Sequence, residues 1–263
     1  MTALSALSAL TAPALTCRRI LHSEWHKLWT LRSTWIILTA AVVSTLAMGL
    51  VMGGTYDGDD SEIDTVTFVL LGTQLAQICV AVLGILVTAG EYATGLIRAT
   101  LTAVPRRIPV LRAKAAVFTT VAFAVTCVTN LVTFLAAQAL LSGTDKATAL
   151  TDSGILRALA GNAAGITLLS LIALGLGALV RSIPGAIGAF VGTVLILPEL
   201  LGSLPYEPLR TAIDYFPAQA AGVLGSATPL PGAASPGPAL LALLLWAAAI
   251  LTAAGLRLKN RDV

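Results

Sequence analysis

Residues Ala158–Val180 read ALAGNAAGITLLSLIALGLGALV, and after Arg181-Ser182 the run Ile183–Leu201 reads IPGAIGAFVGTVLILPELL. The first run carries no charge and the second carries only Glu199. An α-helix rises about 1.5 Å per residue, so each run is long enough to cross a hydrocarbon layer about 30 Å thick. The spacer between them leaves room only for a tight turn, so the pair reads as a helical hairpin. Four more apolar runs lie outside it: Trp35–Met52, Phe68–Ala89, Ala115–Leu141 and Ala239–Leu256, none containing Asp, Glu, Lys or Arg. Over 263 residues, 57% are apolar and 11% charged. Soluble domains carry about 25% charged residues. The mean hydropathy is +0.89. These values exclude a soluble domain, a disulfide-stapled secreted scaffold and a disordered chain. The expected fold is an all-α integral membrane protein with six transmembrane helices in one domain, residues 18–263, after a disordered leader, residues 1–17.

Charge sets the expected orientation. Six spans put both termini on one side of the membrane. With the N-terminus inside, only Lys146, Arg157 and Arg210 of the 16 lysines and arginines lie outside. Basic residues resist translocation, so the pattern favours both termini in the cytoplasm. The pI of about 8.9 is thus explained by topology, and no nucleic-acid partner is expected. Cys17, Cys79 and Cys127 form no metal or redox spacing.

Two inner segments stand out. In Cys17–Thr34, Leu21, Trp25, Leu28 and Trp29 recur at helical spacing, with Arg19, His22, Ser23, His26 and Lys27 on the other face. This fits an amphipathic lead-in helix along the inner membrane surface; the plainer alternative is a cytosolic extension of span one. His22 and His26 lack the HExxH pattern and a third ligand, so no metal is expected there. The second segment, Gly90–Lys114, reads GEYATGLIRATLTAVPRRIPVLRAK. It far exceeds the ~2–8 residues that helix connections usually need. Leu96, Ile97, Thr100 and Leu101 form one face of a short helix, with Arg98 opposite. Gly95 permits a sharp turn into it and Pro105 closes it, because proline cannot continue the hydrogen-bond ladder. Such a helix suits docking in another protein's groove; the alternative is a topogenic basic loop with no partner.

Polar groups within the apolar runs mark a candidate cargo path. Gln74 and Gln77 share a face of span two, Asn130, Gln138 and Asn162 lie in other runs, and Glu199 follows Pro198 near the outer end of span five. These groups either line a route or bond between helices. Gly161/Gly165 and Gly188/Gly192 are small-residue pairs that permit close helix packing. The acidic outer loop with Asp57, Asp59, Asp60, Glu62 and Asp64 departs from a calcium loop at Glu62 and Phe68 and reads as solvated. In Gly202–Pro238, the front part is apolar enough to fold back on the bilayer or cap a cavity. No phosphate loop, HExxH, CxxC or GxSxG occurs, so no catalytic, cofactor or metal site is expected.

The order of these features resembles the membrane subunit of a type-2 ABC exporter, the ABC-2 permease family. The lead-in Ser23-Glu24-Trp25-His26-Lys27-Leu28 with Leu31-Arg32-Ser33-Thr34-Trp35 is similar to actinobacterial members. Glu91-x-x-x-Gly95, followed by a leucine-bearing helix, Pro105-Arg106-Arg107 and a basic approach to span three, resembles the family as a whole. The resemblance implies an ATPase-coupling helix (Glu91, Gly95, Leu96, Ile97, Arg98, Leu101, Pro105, Arg106 and Arg107) and an interfacial helix (Leu21, Trp25, Leu28 and Trp29) beside it. It implies a partner ABC ATPase that binds ATP and Mg, and a second permease chain, identical or paralogous, in a bacterial plasma membrane. The chain itself would be no enzyme; its cargo would be a small molecule, a lipid-like compound or a peptide. The competing reading is a non-transporting scaffold or immunity protein that recruits a cytoplasmic partner.

Overall fold

The computed structural model describes residues 17–58, 63–96, 107–204, 212–228 and 234–260, and all regular structure among them is helical. Helix α1, Cys17–Thr30, breaks at the extended Leu31 before α2, Arg32–Gly54. A short α3, Thr65–Val69, precedes α4, Thr73–Ala93. Then come α5, Arg107–Leu140, and α6, Ile155–Val180. Helix α7, Ile183–Phe190, widens into a π-turn over Val191–Ile196 and continues as α8, Leu197–Gly202. Helix α9, Pro217–Gly225, precedes α10, Pro236–Asn260. Six stretches are long and apolar enough to cross a membrane: Arg32–Gly54, Thr73–Ala93, Ile108–Leu140, Ile155–Val180, Ile183–Gly202 and Pro236–Lys259. The chain is a multi-pass membrane protein by this criterion. Large apolar side chains such as Ile36, Val128 and Leu245 face outward. That would be costly in water and costs nothing against lipid tails.

Helix α6 is the hub, and α4, α5, α7, α9 and α10 all pack on it. Small residues make this possible. A Cβ at Gly84 of α4 would lie 2.6 Å from the Ser170 carbonyl oxygen of α6. At that close approach Thr88 donates from Oγ1 to the Leu174 carbonyl at 2.9 Å.

Some boundaries differ from those expected. Phe68 belongs to α3, capped by Asp64, whose carboxylate accepts from the Thr67 amide at 3.2 Å. The bend at Gly72 is packed so tightly that a Cβ there would sit 2.5 Å from the Ser44 oxygen. The third long helix starts at Arg107 instead of Ala115. Pro109 falls in its first turn, where the missing N–H has no helical acceptor to lose. Its 34 residues span about 50 Å, so its first turns extend beyond a hydrocarbon core. The π-turn has a local cause: Pro198 has no N–H to give to Val194, and its ring crowds that carbonyl.

Candidate functional site

The two ends of the bundle are chemically different. At the elbow end, α1 meets the C-terminal end of α4 and the N-terminal end of α5. Ile20, Glu24 and Leu28 form the buried stripe of α1, at i, i+4 and i+8. Leu21 and Trp25 face outward, and Trp29 is half-buried against Trp35, with ring centroids 5.0 Å apart. This protein-facing stripe shares Leu28 with the apolar Leu21/Trp25/Leu28/Trp29 face and leaves Leu21 and Trp25 on the outside, and Lys27 turns inward instead of lying on the polar face. The cause is electrostatic. Lys114 Nζ donates to Glu24 Oε2 at 2.7 Å and to Glu91 Oε1 at 2.9 Å, while Lys27 Nζ donates to Glu24 Oε1 at 2.7 Å and to Glu91 Oε1 at 3.2 Å.

Two carboxylates and two ammonium groups thus balance one another in a region largely shielded from solvent. Removing ions from water is expensive, and only mutual pairing with good geometry offsets it. Burial pushes the Glu24 carboxyl up, but Lys114 and Lys27 outweigh it and hold the group below its ordinary value. Burial pulls the Lys27 ammonium down, but Glu24 and Glu91 outweigh it and hold the group above its ordinary value. Glu91 Oε2 is buried without a hydrogen-bond partner. A cavity of about 340 Å³ opens beside the cluster, walled mainly by Leu28, Leu83, Leu86, Val87, Val117 and Phe118.

Beyond Glu91, Gly95 adopts φ +72°, a left-handed conformation that glycine takes without penalty. The chain turns there, as expected, and leaves Leu96 exposed. Arg107 opens α5. Ile97, Arg98, Leu101, Pro105 and Arg106 lie outside the described residues. Arg181, also at φ +62°, places its guanidinium 5.2 Å from the Tyr92 ring centroid, bringing the α6–α7 turn to the same end.

At the opposite, loop end, a second cavity of about 250 Å³ lies between α4, α6, α8 and α9. It gathers Gln74, Gln77, Asn162 and Glu199 with Gln219 of α9. Gln219 Nε2 donates to Glu199 Oε1 at 3.3 Å, and its own Oε1 is buried without a partner. Asn130 does not line this cavity. It sits behind it, fully buried, donating from Nδ2 to Asn162 Oδ1 at 3.0 Å and to the Leu159 carbonyl at 3.2 Å. Asn162 in turn donates to Thr73 Oγ1 at 3.4 Å. Asn130 therefore orients a wall residue.

Helix α9 is the fold-back element expected from the apolar front of Gly202–Pro238. It lies against α6 at the Gly161/Gly165 pair. A Cβ at Gly161 would be 2.1 Å from the Leu224 oxygen. Its exit is tied twice. Arg157 Nη2 donates to the carbonyls of Ser226 and Ala227 at 2.8 and 2.9 Å. Asp64 accepts from the Ala227 amide and from Thr228 Oγ1, both at 3.2 Å. Asp64 is thus a structural cap, while Asp57 is exposed, and Asp59, Asp60 and Glu62 lie outside the described residues. The second small pair, Gly188 and Gly192, faces open space. His22 and His26 place their Nε2 atoms 3.2 Å apart on the exposed face of α1. Among the described residues, no group of three or more His, Cys, Asp or Glu could hold a metal.

Sequence reasoning singled out Glu91 but not its partners Glu24, Lys27 and Lys114. The usable signal was an acid at position 24 between apolar residues four before and four after it. Gln219 carried no comparable mark. No protein-family model matches the chain, and no curated protein matches it.

Proposed function

We propose that the chain is the membrane permease subunit of an ATP-binding cassette exporter of the ABC-2 type. In this reading the elbow end faces the cytoplasm of a bacterial cell, in agreement with the distribution of basic residues. Two permease chains pair, and two separate ATPase subunits dock beneath them. The chain has no phosphate loop of its own, so uphill transport draws on that partner.

The observation that carries the reading is the buried ion cluster. Glu24, Lys27, Glu91 and Lys114 bind the lead-in helix to the ends of α4 and α5. Those ends flank the segment Gly95–Val104, which would be the coupling helix. A push on that segment would therefore reach three elements at once. A docked helix transmits only the difference in its contacts between two ATPase states, so a rigid joint behind it favours transmission over local yielding. The cargo would be a small molecule, a lipid-like compound or a peptide.

The test is to co-purify the chain from its own host with whatever ATPase accompanies it and to replace Leu96 or Leu101 by Asp. The expected result is ATP hydrolysis that no longer drives export, with the spans still folded. Variants that bind the ATPase and export at the full rate would overturn the coupling assignment. An assembly with no nucleotide-hydrolysing companion would favour the scaffold reading instead.

A further inference from the structure

We infer that the loop-end cavity is a binding site for an organic cation carrying hydrogen-bond donors, with Glu199 as its counter-charge. The inference deepens the exporter reading, on which only the term cargo rests. Four elements build the site: α4 supplies Gln74 and Gln77, α6 supplies Asn162, α8 supplies Glu199 and α9 supplies Gln219. Among the described residues no Lys, Arg or His lines it, and the one formal charge they place there is negative. Arg157, on the same helix as Asn162, directs its guanidinium to the Ser226 and Ala227 carbonyls.

The wall is prearranged. Asn162 has its amide nitrogen on Thr73 and its amide oxygen on Asn130, so it holds its orientation. Glu199 is held differently. Its one hydrogen bond to Gln219 is long, at 3.3 Å, and a stronger donor would displace it. Gln219 Oε1, buried with no donor, adds to a surplus of acceptors around the carboxylate. Buried polar groups are almost always paired, which makes Gln219 Oε1 an acceptor in want of a donor, while Glu199 is exposed and so open to an arriving cation. An ammonium group supplies both the charge and the missing donors. The volume, about 250 Å³, is below the ~300–1,000 Å³ of pockets that enclose whole drug-sized ligands. The site therefore takes a small amine, or the cationic head of a longer amphipath.

The test uses the full chain in nanodiscs of zwitterionic lipid. The probes are dansylcadaverine, a protonated primary amine at neutral pH, and its neutral N-acetyl derivative. Wild type is expected to bind the amine at least about tenfold more tightly than the acetylated probe. Glu199→Gln should reduce that preference below about threefold with an unchanged melting temperature. Asp57→Asn, which removes an exposed acid elsewhere, should leave it intact. Gln77→Leu should weaken the amine while sparing the fold. Equal affinity of wild type for the two probes, or a preference that survives Glu199→Gln, would overturn the site. A short amine such as butylammonium, used as competitor, separates the two sources: competition indicates that the head group alone suffices, and failure to compete assigns the site to amphipaths. Amine binding without any effect on ATP hydrolysis in the partnered complex would sink the exporter reading but not the site. Export of neutral compounds without amine binding would do the reverse.

Discussion

Lys114 Nζ lies 2.7 Å from Glu24 Oε2 and joins positions 90 residues apart, with both side chains less than a tenth exposed. Lys114 also holds Glu91, so one ammonium ties α1 and α4 to the start of α5. Short buried contacts between full charges leave little freedom to any of the three helices.

Lys114→Met should therefore be severely destabilising, by about 3–5 kcal/mol, because two buried carboxylates lose a partner. The double variant Glu24→Leu with Lys114→Met should recover much of that loss, since Lys27 and Glu91 still balance each other at 3.2 Å. Thermal unfolding of the four forms of this cycle measures the coupling. Additive losses would show that the pair does not interact.

Stability should depend on pH in a defined direction. Glu24 has a folded pKa below its unfolded value, so the unfolded chain takes up its proton first as pH falls. Its contribution is present above the ordinary carboxylate range and is lost as pH drops through the folded value. Lys27 has a raised folded pKa, so its contribution is present below the ordinary lysine range and is lost as pH climbs through the folded value. Melting temperatures should plateau around neutrality and fall on acidification. Glu24→Gln should lower the plateau and flatten the acid limb.

The two small-residue pairs should respond differently to added bulk. Gly161→Ala places a methyl group 2.1 Å from the Leu224 oxygen. It should cost about 1–3 kcal/mol, as overpacking does, and speed hydrogen exchange in α9. Gly188→Ala meets nothing within 4 Å and should be neutral or slightly stabilising within one chain, since alanine is the better helix former.

The exit of α9 should loosen when its ties are cut. Asp64→Ala removes the cap of α3 together with two long-range acceptors. A lost cap costs about 0.5–2 kcal/mol, and the Ala227 amide should exchange faster. Arg157→Ala should expose the same amide and leave α3 protected. Identical exchange patterns in both variants would mean that the ties act as one unit.

Several features were legible in the chain itself. Charge-free runs of sufficient length mark the spans, and a lone glycine after Thr94 marks the turn out of α4. Gln74 and Gln77, three residues apart, had to share a helix face. Other features had no local signature. Phe68 continues an apolar run, yet the tight packing at Gly72 separates it from α4. Asn130 resembles the other intramembrane amides, but only helix packing reveals that it backs Asn162. Gln219 falls in a proline-rich stretch of the sequence, Gly202–Pro238, with nothing nearby to connect it with Glu199.

Transfer from water to hydrocarbon is nearly additive along the chain, so composition alone determined that this protein carries six stretches long and apolar enough to cross a membrane. Which charges meet is a matter of three-dimensional encounter. Glu24 and Lys114 come together because α1 packs on α5, and Glu199 and Gln219 because α8 and α9 meet at the loop end. The tertiary structure alone decided that one end of the bundle is a neutralised ionic joint and the other an acceptor-rich cavity.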